Sequence, residues 1–131
     1  ARPSPAQPER SDDEPAAGLR FDLSASLGSA GPDAAALARL LILFLEENAA
    51  MQSSTRAGME RGDLEGTARA LHRLRGTAAV LGAGRLARAC HALELRLRAG
   101  AAASAQSEVK EYESALREVL EAARSFLRNH T

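Results

Sequence analysis

Residues 61–84 read RGDLEGTARALHRLRGTAAVLGAG, and the fold is read from them outward. Leu64, Thr67, Leu71, Leu74, Ala78 and Leu81 recur at spacings of three and four, the period of a helix with one buried face. Asp63 stands just ahead of this run. Its short carboxylate can accept from the unpaired N–H groups of a first turn, so it is a candidate N-cap. Gly62-Asp63 on one side and Gly82-Ala83-Gly84 on the other break the pattern. The stretch therefore predicts a helix over 63–81, with connections too short for anything but antiparallel neighbours.

The flanking sequence repeats the theme. Leu37, Leu41, Phe44, Asn48, Met51, Thr55 and Met59 predict one helix over 33–61, with Asn48 and Thr55 as polar breaks in its stripe. Gly31-Pro32-Asp33 is its start signal. Leu86, Cys90, Leu93 and Leu97 predict a third helix over 84–99, stopped by Gly100. Val109, Tyr112, Leu116, Val119, Ala123 and Phe126 predict a fourth over 104–128, capped by Ser104. No strand signal and no internal repeat competes. Residues 1–20 hold four of the five prolines and Asp12-Asp13-Glu14, a composition that cannot bury a core. The division expected is a flexible Pro-rich linker over 1–20 and a bundle over 21–131, with Phe21, Leu23 and Leu27 as a short N-terminal capping segment. The fold class expected is all-α, an antiparallel four-helix bundle.

Composition narrows the function. Aromatics are 3% and Trp is absent, so the core must be Leu and Ala. Net charge is zero, which argues against nucleic acid as the partner. The single cysteine, Cys90, can form neither an internal disulfide nor a zinc site of the usual kind. The longest apolar run, Leu40 to Leu45, is far short of a membrane span, so no direct membrane contact is expected. There is no nucleotide-binding loop of the G-x-x-x-x-G-K-[ST] type, so the domain is not expected to use ATP itself. The chain starts at Ala1 without a methionine, as a piece of a longer polypeptide would.

One residue stands out chemically. His72 follows the core position Leu71 and so lies about 100° off the buried stripe, within reach of water. Ala68, Arg69, Arg75 and Gly76 neighbour it at three and four residues, and Ala79 lies one turn on. Ala68, Gly76 and Ala79 clear space round the ring. Gly76 costs about 1 kcal/mol of helix propensity against Ala, which points to a partner that approaches the backbone. Arg75 offers a guanidinium to an anion held on His72. Nucleophile, cation and open approach suit phosphoryl transfer. No carboxylate is expected to face the ring. His91 lacks this context and reads as surface.

The segment Ala70 to Ala83, with His72-Arg73-Leu74-Arg75-Gly76 at its centre, resembles the H-x-L-K-G signature of histidine-containing phosphotransfer (HPt) domains, followed by a small-residue run and G-A. Leu86 to Glu94 resembles the family's L-x-x-x-C-x-x-L-E, and Arg61-Gly-Asp-Leu64 also fits. The likeness covers about residues 21–128. It implies that His72 is phosphorylated, that Arg75 stabilises the phosphate and that Gly76 allows close approach. Ala68, Arg69 and Ala79 would dock the partner, and Gly82 would end the helix. Arg75 replaces the family's usual lysine, so a fork stands where a point charge is usual.

The resemblance implies a phosphorelay intermediate of two-component signal transduction. His72 would take a phosphoryl group from a receiver-domain aspartate and give it to a response-regulator aspartate. It implies the C-terminal domain of a bacterial hybrid sensor kinase, reached through the 1–20 linker. The setting would be cytoplasmic, with the cytoplasmic face of an inner-membrane kinase as one placement. No cofactor or metal is expected in this domain, because the receiver would bring Mg²⁺. The rival reading is a non-catalytic helical docking or assembly module, in which His72 is dispensable. A third, the dimerisation helices of a histidine kinase, would usually have an acid directly after the histidine, where this chain has Arg73.

Overall fold

The computed structural model describes residues 34–130. The 1–20 linker and the 21–33 capping segment expected from sequence lie outside the described residues. Among the described residues five α-helices run in order: α1 (Ala34–Asn48), α2 (Met51–Glu60), α3 (Leu64–Leu81), α4 (Gly84–Arg98) and α5 (Gln106–His130). No strand occurs among the described residues. The expected bundle is present, with α1 and α2 together taking the place of its first helix.

That first helix is not continuous. The single helix expected over 33–61 is interrupted at Ala49-Ala50. Alanine is the best of helix formers, so neither residue announces the break. Beside the break the buried Asn48 amide Nδ2 donates to the Phe44 carbonyl at 3.1 Å. A short polar side chain that takes a backbone acceptor competes with the helical ladder. The second polar position, Thr55, is buried and satisfied by Tyr112. Its Oγ1 is 2.9 Å from the phenol oxygen, which also donates to the Met51 carbonyl at 3.4 Å. Burial raises the Tyr112 phenol above its ordinary pKa, so it stays neutral.

The turns follow the glycines. Asp63 caps α3 as expected, its Oδ1 accepting from Gly66 N at 3.0 Å. Gly82 ends α3 in the left-handed conformation, with φ at 76°. Ala83 N then bonds back to Ala78 O at 2.8 Å, closing the helix end in a Schellman turn. Only two residues separate α3 from α4, and the left-handed turn at Gly82 folds the two helices side by side. Ser104 does not cap α5. It sits in a 3₁₀ turn over Ala102–Ser104, and Arg96 donates to its hydroxyl at 2.8 Å. The helix starts two residues later.

The core is built as the composition requires. Leu37, Leu41 and Phe44 from α1 meet Leu71, Leu74 and Leu81 from α3, Leu86, Leu93 and Leu97 from α4, and Tyr112, Leu116 and Phe126 from α5. Each such side chain contributes about 1.5–3 kcal/mol of transfer free energy. Cys90 is a buried free thiol in the same cluster. Rigid walls on either side of α3 fix which of its faces is left to solvent.

Candidate functional site

His72 stands on the solvent face of α3, between buried Leu71 and exposed Arg73. Its side chain is 56% exposed. The ring does not stand alone. Glu94 of α4 faces it, with Oε2 3.2 Å and Oε1 3.4 Å from Nδ1. The expectation of no facing carboxylate is corrected here. The Glu94 side chain is only 8% exposed and is held from its other side by Arg98, whose Nε donates to Oε2 at 3.0 Å. Arg98 also reaches Glu65 at 2.9 Å, and Glu65 pairs with Arg69 at 3.4 Å. Its hydrogen bonds to Glu94 and Glu65 raise the Arg98 pKa, so the guanidinium stays charged.

This contact has a chemical consequence. A carboxylate paired with arginine has acceptors only, so the proton of a neutral His72 resides on Nδ1. The lone pair is left on Nε2, the nitrogen distal to the backbone. The ring is thus fixed in the tautomer whose exposed nitrogen is nucleophilic.

Arg75 lies one turn further along α3 and is half-buried. Its Nη1 is 2.8 Å from Nδ1 of His91 on α4. A guanidinium only donates, so His91 Nδ1 accepts and a neutral His91 carries its proton on Nε2. The two histidines are therefore set in opposite tautomers. His91, expected as plain surface, is half-buried and contacts Arg75.

The remaining expectations divide. Gly76 is exposed, and a Cβ built on it meets nothing within 4 Å. Its lack of a side chain is required by nothing inside the fold. Arg69 is exposed beside the ring. Ala68 is fully buried and Ala79 is 8% exposed, so they pack in the interior rather than offer docking surface. The reason is their phase. Ala68 precedes the core residue Leu71 by three residues and Ala79 follows buried Ala78, so both lie on the buried side of α3.

Glu94 and His91 were missed as partners, yet a signal existed. The α3–α4 turn centres on Ala83. His72 and Glu94 each lie eleven residues from it, and Arg75 and His91 each lie eight from it. Folding the sequence about that turn sets both pairs opposite each other. Among the described residues no cluster of His, Cys, Asp and Glu could hold a metal ion. None of the described helices is long and apolar enough to cross a membrane.

A helical bundle that presents an exposed histidine beside an arginine on one helix face agrees with the phosphotransfer domain that the sequence resembles. The chain belongs to the Hpt domain family, whose family model matches residues 39–126. No curated protein and no solved structure matches it. Membership makes it a phosphotransfer domain of two-component signalling, a class that interacts with receiver domains.

Proposed function

We propose that Nε2 of His72 accepts a phosphoryl group from the aspartyl phosphate of one receiver domain and returns it to the aspartate of a response regulator. The observation that carries this reading is the Glu94 contact, which places the Nδ1 proton and leaves the exposed nitrogen as nucleophile. The Nε2 lone pair attacks phosphorus as the aspartyl P–O bond breaks, and the carboxylate leaves with that electron pair. The imidazole becomes a cation with hydrogen on Nδ1 and phosphorus on Nε2. Glu94 faces that cation and offsets its charge. Transfer onward is the same step in reverse, so no proton has to leave the site.

Arg75 would hold the phosphoryl oxygens, and Gly76 would admit the receiver's loops. Mg²⁺ would come with the receiver's acidic pocket. Docking would use Arg69 and the open surface round Gly76. The Pro-rich composition of residues 1–20 supports a tethered setting in a cytoplasmic hybrid kinase. Incubating the chain with a phosphorylated cognate receiver should place an acid-labile, base-stable label on it. A chain that stays unlabelled would favour the docking-module reading.

Two residues can be tested for their separate parts. Arg75→Ala should slow transfer about tenfold while the melting temperature moves by only a few degrees, because it removes charge from a half-buried position outside the core. Equal rates would take Arg75 out of the mechanism. Glu94→Ala should also slow labelling about tenfold, with Glu94→Gln in between, since the amide oxygen still accepts from Nδ1 but carries no charge. The ¹⁵N shifts of the His72 ring should show the Nδ1–H form fading in the alanine variant. An unchanged tautomer would show that Glu94 does not set it.

A further inference from the structure

The geometry points to His91 as a positioning residue that aims the Arg75 guanidinium at the phosphoryl site. This inference rests on His72 being the acceptor. Arg75 carries its charge on a long side chain with about 2 kcal/mol of rotamer entropy, and a fork is useful only when it is oriented. His91 Nδ1, 2.8 Å from Nη1, supplies an anchor on the neighbouring helix. A guanidinium carries five N–H donors on three nitrogens, so one nitrogen can hold His91 while another turns to phosphoryl oxygens. The anchor is itself well placed: His91 follows buried Cys90 and precedes buried Leu93 by two residues, so its backbone is fixed by the core. It sits one turn from Glu94 on the same helix, and α4 thereby supplies a partner to both functional side chains of α3. A lysine at position 75 would have one ammonium to share between anchor and phosphate. The fork serves both at once, which gives the Arg-for-Lys departure a physical reason.

The test uses the whole chain and phosphoramidate as the phosphoryl donor, with labelling of His72 followed by ³¹P NMR. His91→Ala should slow labelling about fivefold, the scale of coupling between contacting side chains. His91→Asn, whose side-chain oxygen can stand near the position of Nδ1, should recover most of that loss. In an Arg75→Ala background His91→Ala should have no further effect, because there is no guanidinium left to aim. Independently of labelling, the ring ¹⁵N shifts of His91 should show the Nε2–H tautomer in the wild type and lose that preference in Arg75→Ala. Wild-type rates for His91→Ala, or an equal loss with and without Arg75, would overturn the proposal while leaving His72 as acceptor. Label that never appears on wild-type His72 would overturn both.

Discussion

His72→Gln should abolish labelling of the chain entirely, from a phosphorylated receiver and from phosphoramidate alike. The amide of glutamine can approach the position of Nε2, and it can still meet Glu94, but it has no lone pair able to attack phosphorus. The substitution falls at a side chain that is 56% exposed, next to rather than within the Leu71 and Leu74 core, so the fold should be retained. Circular dichroism should be unchanged while label falls to background. His91→Gln should still be labelled, though more slowly. The difference follows from tautomer: Glu94 leaves the His72 lone pair on Nε2, whereas Arg75 occupies the His91 lone pair at Nδ1. Label persisting without His72 would defeat the assignment.

Gly76→Leu should block receiver-dependent transfer by at least about a hundredfold, the scale on which misplacement of reacting groups acts. Nothing in the fold opposes the new side chain, since no atom lies within 4 Å of the Cβ position. Helix propensity should even improve by about 1 kcal/mol, raising the melting temperature. The leucine would project from α3 one turn beyond His72, into space that a docking receiver must enter to bring its aspartate to Nε2. Phosphoramidate is small and should still label His72 in this variant. A stabilised chain that reacts with the small donor and not with the receiver is the signature of steric exclusion. Normal transfer from the receiver would show that Gly76 has no role in approach.

Much of this was legible in the sequence, and the residues show why. The Leu71–Leu74–Ala78 stripe, the Asp63 cap and the Gly82 stop are local features whose physics lies within a few residues, and each holds in the structure. The break at Ala49-Ala50 was hidden because two alanines, the best of helix formers, carry no warning of it. Ser104 misled because serine suits both a cap and a 3₁₀ turn, and Arg96, eight residues earlier, decided between them. At the candidate site, His72, Arg75 and Gly76 were singled out from spacing along one helix. Glu94 and His91 required pairing two helices. Ala68 and Ala79 were misjudged because a small residue near a functional side chain looks like open space until the opposing helix is placed.

The two-residue turn between α3 and α4 has a further consequence. Contacts 72–94 and 75–91 close loops of only 22 and 16 residues. Loop-closure entropy grows slowly with length, but short loops close earliest and contacts of low sequence separation form fastest. The candidate site therefore lies within one hairpin, and its contacts do not depend on the docking of distant segments. Its register is also inherited as one unit. A residue inserted between Gly82 and Gly84 would upset the matched spacing about Ala83 and move Glu94 and His91 out of line with their partners in the same stroke. The length of that turn is as much a part of the chemistry as the histidine it serves.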